Sequence, residues 1–172
     1  MTSAVSLQSV NELSLSEFIA RFSDIAEHSP WVAVEAERSR PFSTHLALVQ
    51  AFQAAVINAS RDAQHDLILA HPDLAGRAAL AGSVAAESRR EQSGAGLDTL
   101  TSEEFERFHE LNEAYRSRFG FPFIFAVSGA TKFQILDAFD QRISGTLEEE
   151  RLTAIAQILR IIRFRLETRV SI

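Results

Sequence analysis

Apolar residues recur along this chain at the three- and four-residue spacing of a helix, with polar runs between the recurrences. Leu15, Phe18, Ile19, Phe22 and Ile25 form the first stripe, behind Ser14 and Glu17, which have the spacing of a capping box. Ser29 and Pro30 suit the N-cap and first position of a second helix, WVAVEAERSR, which Pro41 breaks. A third helix is expected after Ser43, carrying Leu46, Val49, Phe52 and Val56. A fourth runs up to His71 with Leu67 and Leu69 buried. Pro72 is expected to open a short fifth helix, and Gly82 and Ser83 to start the segment that carries Ser88 and Glu91. Gly94 and Gly96 end that segment, because glycine tolerates the left-handed C-cap conformation.

Thr101 and Glu104 make a second capping box, ahead of Phe105, Phe108, Leu111, Asn112 and Tyr115. Thr131 to Ile143 is another amphipathic stretch. Thr146 and Glu149 make a third box, ahead of Leu152, Ile155, Ile158, Leu159, Ile162 and Leu166. Three boxes in register with three stripes predict an all-α fold, a helical bundle of about eight to nine helices. No repeat, low-complexity segment or linker divides the chain, so residues 1–172 read as a single domain.

One segment breaks the pattern. Gly120 to Gly129 encloses FPFIFAVS, apolar on every side, with Pro122 set to interrupt any helix continuing from Phe119. It reads as a buried, partly irregular strip whose backbone N–H groups are offered to a ligand, or else as a core-filling connection or a single hidden strand.

Composition narrows the function classes. Hydrophobic residues make up 46% and charged residues 23%, a globular balance, and thirteen phenylalanines predict a Phe-rich core. A net charge of −6 argues against a phosphate-backbone binder, so no nucleic-acid partner is expected. The absence of cysteine removes disulfides, thiolate nucleophiles and Cys-ligated zinc, and fits a cytoplasmic setting. No apolar run reaches membrane-spanning length, and the N-terminal residues do not read as a signal peptide.

The candidate chemistry centres on His71-Pro72. Proline disfavours the α conformation for the residue before it, so His71 is expected at a break between helices. There an imidazole is either a helix C-terminal cap or an acid–base group working near neutral pH. Ser88, Glu91 and Gln92 are spaced i, i+3, i+4 and share one helix face. Ser88 and Glu91 also have capping-box spacing, but Gly94 follows so closely that an earlier helix start leaves Ser88 free to face a ligand. His28, His45, His65 and His109 read as surface or structural, and without HExxH or a similar ligand run no metal is expected. Arg165 offers a fork for a carboxylate or carbonyl, but periodicity does not choose among Arg160, Arg163, Arg165 and Arg169.

The segments EHSPW (27–31), RPF (40–42), AHPDLAG (70–76), SRREQSGAGLD (88–98), LNEAYRSRFGFPFIFAV (111–127) and RFRL (163–166) together resemble 2-oxo-4-hydroxy-4-carboxy-5-ureidoimidazoline (OHCU) decarboxylases. The resemblance implies an all-α, cytoplasmic, homodimeric enzyme of urate breakdown that uses no cofactor and releases CO2 and (S)-allantoin. It implies His71 as general acid, with Pro72 lining the pocket beside it. Glu91 would engage the substrate hydroxyl, and Ser88 and Gln92 polar edges of the ring and ureido group. Phe123, Ile124, Phe125, Ala126 and Val127 would supply backbone amides and an apolar wall, and Arg165 would hold a substrate oxygen. The competing readings are a helical interaction module without catalysis, and a lyase or hydrolase acting on a related ureide.

Overall fold

Side-chain caps start most of the helices. Ser6, Ser14, Thr44, Ser60, Thr101 and Thr131 each accept the backbone N–H three residues on, satisfying a donor that the first turn would otherwise leave unpaired. The three capping boxes read from sequence form, and Thr131 with Gln134 makes a fourth. The computed structural model describes residues 4–76 and 85–171. Among these, nine helices follow a short strand: β1 (Val5–Ser6), α1 (Leu7–Glu12), α2 (Leu15–Phe22), α3 (Trp31–Glu37), α4 (His45–Ile57), α5 (Arg61–Leu69), α6 (Ala86–Gly94), α7 (Ser102–Phe119), α8 (Lys132–Arg142) and α9 (Leu147–Arg169). β2 (Val170–Ser171) closes the described chain and pairs in parallel with β1, Val5 opposite Val170 and Ser6 opposite Ser171. The fold is all-α apart from this two-residue ladder, which is too short for a period of two to be read from sequence.

The chain forms two compact units. Residues 4–70 and 159–171 make one, and residues 71–76 and 85–158 the other, so α9 contributes to both. Each has its own aromatic core. In the first, Phe18 lies 4.8 Å from Phe22 between ring centroids, with Phe42 and Phe52 packed around them. In the second, Phe123 stacks on Phe139 at 3.6 Å, and Tyr115 meets Phe119, Phe121, Phe123 and Phe139 at 4.6–6.2 Å. The abundance of phenylalanine therefore serves two cores.

Several expectations are corrected. Leu69, expected to be buried, is 42% exposed; Leu15, Leu46 and Leu152 lie on their helices but stand 55–62% exposed, because a helical stripe is wider than the face its neighbours cover. The second helix starts at Trp31, with Pro30 rather than Ser29 at the N-cap, and ends at Glu37, short of Arg40. The third is capped by Thr44 rather than Ser43. No helix opens at Pro72. Residues 71–76 form an irregular turn with Ala75 in the left-handed region (φ 52°). Gly82 and Ser83, expected to start the next helix, lie outside the described residues. Helix α6 is described from Ala86, ahead of Ser88, so Ser88 is an interior residue and not a cap.

Phe139 supports both the stacked Phe123 and the edge of Tyr115. Phe139→Ala is expected to cost about 3–5 kcal/mol, read as a lower urea midpoint at unchanged slope.

Candidate functional site

Helix α5 ends at Leu69 with Ala70 as its C-cap, so His71 falls just outside the helix, where Pro72 leaves it little access to the α region. Its side chain is buried, at 7% exposure, and Pro72 is half-buried. The turn that follows is held at three successive residues. Arg116 pairs with the Asp73 carboxylate, Nε to Oδ1 at 2.9 Å. Asn112 Nδ2 donates to the Leu74 carbonyl at 2.8 Å. The Ala75 N–H donates to Gln92 Oε1 at 2.9 Å. Asn112 and Arg116 are one helical turn apart on α7, so a single face of that helix grips the turn. Gly76 closes it: a Cβ there would come within 3.1 Å of the Asp73 Cβ and 3.2 Å of its carbonyl oxygen. A left-handed alanine costs about 1 kcal/mol or more, and these anchors sustain it.

Helix α6 presents the predicted trio. Ser88 and Gln92 are buried on one face, at 5% and 6% exposure, and Glu91 sits half-buried beside them. The structure thus ties Gln92 directly to the His71 turn. It also orients the Gln92 amide: Oε1 is turned to the Ala75 N–H, and both N–H donors of the nitrogen end are left to offer elsewhere. Gln92 is therefore suited to an acceptor such as a carbonyl or carboxylate oxygen.

Residues 121–127 form neither helix nor strand, which fits the irregular strip and not the hidden strand. Phe123, Ile124, Ala126 and Val127 are buried and Phe125 half-buried. Two side chains pin the backbone. Arg142 Nη1 donates to the Ile124 carbonyl at 2.7 Å, and Gln157 Oε1 accepts the Ala126 N–H at 2.9 Å. Of the amides expected to serve a ligand, that of Ala126 is thus already engaged. Among the described residues, no acceptor takes the N–H of Phe125 or Val127.

Arg165 belongs to the other unit. Of the four late arginines it is the buried one, at 3% exposure, while Arg160 and Arg163 are exposed and Arg169 is half-buried. It pairs with Glu27, 2% exposed, at 3.2 Å, and donates to the Ile25 carbonyl at 3.3 Å. His28, next to Glu27, has a left-handed backbone (φ 44°).

Sequence reasoning passed over Glu27, Asn112, Arg142 and Glu150. Glu27 and Asn112 lay inside segments already singled out, but neither residue type announces a role at those positions. Arg142 and Glu150 lie outside the segments, and only the fold brings them to Tyr115. Burial, reinforced by the Glu150 carboxylate that accepts its hydrogen bond, pushes the Tyr115 hydroxyl well above the usual phenol range, so it remains a donor at neutral pH. Among the described residues, no helix is long and apolar enough to cross a membrane, and no three His, Cys, Asp or Glu side chains gather where a metal could be held.

The OHCU decarboxylase family model matches residues 11–167. The chain belongs to the OHCU decarboxylase family. The match runs from Asn11 to Glu167 and so takes in the His71 turn, α6, the 121–127 strip and Arg165. The chain is 41% identical over 167 residues to the 2-oxo-4-hydroxy-4-carboxy-5-ureidoimidazoline decarboxylase of Haloferax volcanii, covering 97% of each chain. It is 36% identical to the human protein described as a putative decarboxylase of the same name, covering 93% of this chain and 92% of that one. A crystal structure of (S)-allantoin synthase superposes with a TM-score of 0.78 at 32% identity, covering 96% of this chain and 54% of that one. This chain thus spans about half the length of the synthase.

The left-handed alanine in the turn of this OHCU decarboxylase family member has a measurable consequence. Ala75→Gly is expected to stabilise the protein by about 0.5–1 kcal/mol, because glycine carries no Cβ penalty at positive φ. Ala75→Val should cost more than that gain. Urea denaturation of both variants checks this, and a glycine variant weaker than the parent would mean that the turn is unstrained.

Proposed function

We propose that this chain is a carboxy-lyase that converts 2-oxo-4-hydroxy-4-carboxy-5-ureidoimidazoline to (S)-allantoin and CO2, with His71 and Glu91 as its catalytic residues. Family membership along nearly the whole chain supports the reaction. The observation that carries the site is the buried imidazole of His71 on a turn held at Asp73, Leu74 and Ala75. A general acid must be held in place before it can deliver a proton to one face of a carbon.

The bond changes need no external electron sink. The bond from C4 to the carboxylate carbon breaks and CO2 leaves. Its electron pair forms the C4–C5 double bond, while the pair of the ring C5–nitrogen double bond moves onto nitrogen, which takes up a proton. C5 then accepts a proton as the C4 hydroxyl gives one up, leaving a C4 carbonyl. The protonation of C5 creates the stereocentre, and that proton is assigned to His71. Glu91 receives the hydroxyl proton. Ser88 binds a polar edge of the ring or ureido group, and the Gln92 nitrogen donates to a carbonyl oxygen. Pro72 and the apolar side chains of residues 123–127 form the wall, and the amides of Phe125 and Val127 are offered to substrate oxygens. Arg165 keeps the role that the family motif gives it, a contact to a substrate oxygen. The single family match running through both units supports reading them as one domain. The cytoplasmic setting and the homodimer belong to the same reading.

The test generates the substrate in situ from urate with uricase and 5-hydroxyisourate hydrolase, and follows circular dichroism. Fast formation of optically active allantoin is expected with the parent protein. With His71→Asn, at least a hundredfold loss at unchanged melting temperature is expected, as for removal of a general acid. Glu91→Gln should lower turnover strongly. Only slow racemic product with folded parent protein would transfer the site to another ureide.

A further inference from the structure

We propose that Arg142, Glu150 and Tyr115 are positioning residues that set the backbone of residues 123–127 to receive a substrate oxygen at the amides of Phe125 and Val127. The proposal rests on the reading above, in which this strip contacts the substrate.

Arg142 does four things at once. Its Nη1 holds the Ile124 carbonyl at 2.7 Å, its Nε and Nη2 reach Glu150 Oε2 at 2.9 and 2.8 Å, and its guanidinium lies 4.3 Å over the Phe123 ring. Tyr115 donates its hydroxyl to the same oxygen of Glu150. Glu150 is 4% exposed. The carboxylate therefore fixes the plane of the guanidinium, and the guanidinium fixes both a side chain and the next carbonyl of the strip. Gln157 pins the Ala126 N–H two residues on.

The anchored backbone groups belong to residues 124 and 126. In an extended run, residues two apart send their polar groups to the same side, and the residue between sends its own to the other. Residues 125 and 127 alternate with the anchored 124 and 126, and in an extended run their amides point away from Arg142 and Gln157; like the amides of Phe123 and Ile124, they have no acceptor among the described residues. The charge of Arg142 is offset by Glu150, so its contribution is orientation rather than direct attraction of an anion. A group that only orients a binding element acts on the ground and transition states alike, so its loss raises KM and spares kcat.

The test uses the full chain and three variants, Arg142→Lys, Glu150→Gln and Tyr115→Phe. Lysine keeps the charge but loses the planar fork that holds three partners. In Arg142→Lys, KM should rise about tenfold with kcat within about twofold. Glu150→Gln should shift KM in the same direction, and Tyr115→Phe, which deletes one hydroxyl from an otherwise intact core, should raise it about threefold. Amide resonances give a second readout that needs no turnover. In the parent, (S)-allantoin should shift the signals of Phe125 and Val127. In Arg142→Lys those two should already differ in the ligand-free protein and should lose their response to allantoin. If Arg142→Lys and Glu150→Gln do not fold, Tyr115→Phe decides on the same two readouts. Folded variants with parental KM and parental 125 and 127 resonances would overturn the proposal. So would loss of kcat alongside melting temperature at constant KM, the mark of a core role only. A parent that forms no optically active allantoin would remove the proposed reaction instead, and the ligand-free amide signals would still report on the network.

Discussion

A carboxylate taken out of water has to be compensated where it sits, and in this molecule that requirement falls on Glu150. Its Oε2 collects the Tyr115 hydroxyl and two nitrogens of Arg142. Removing the guanidinium of Arg142 from such a group leaves an uncompensated buried charge, at a cost of about 3–5 kcal/mol. The arrangement joins three helices: α7 contributes Tyr115, α8 ends in Arg142 and α9 contributes Glu150. The irregular strip 121–127 has few backbone bonds of its own and inherits its shape from this junction.

Helix α7 carries the same rigidity to the other half of the candidate site. Asn112 and Arg116 face the His71 turn, while Tyr115, between them in sequence, faces Glu150. One helix thus references both the proposed acid and the proposed oxygen-binding amides. Its capping box at Thr101 and Glu104 and its left-handed Gly120 (φ 80°) define where it begins and ends. A site assembled from a turn and an irregular strip would be imprecise if each relied on its own backbone. Tying both to a single eighteen-residue helix removes that freedom.

The helices were legible because their signals are local. A capping box occupies four residues and a stripe repeats every turn, so α2, α7 and α9 could be read from their own segments. His71 was legible for the same reason, since Pro72 acts on its immediate neighbour. What escaped the sequence is what two distant segments decide together. Leu46 and Leu69 carry the right period and still face solvent, because burial depends on what covers a face and not on the face alone. Nothing near Ala75 signals a left-handed residue, which follows from side chains 17 and 38 residues away that hold the turn. Arg165 could not be told from its three neighbours by period, whereas burial beside Glu27 separates it at once.

The Gln92 amide shows how such a long-range contact changes chemistry and not only shape. In isolation a glutamine side chain is both donor and acceptor, and it could bind either edge of a ureido group. The Ala75 N–H occupies its oxygen, and that N–H is aimed by a backbone which alanine adopts only under constraint. The turn that places His71 therefore also fixes which way the Gln92 amide points. Strain at residue 75 and amide orientation at residue 92 are two ends of one interaction, so which way the Gln92 amide points is set by the geometry of the turn and not by the choice of glutamine alone.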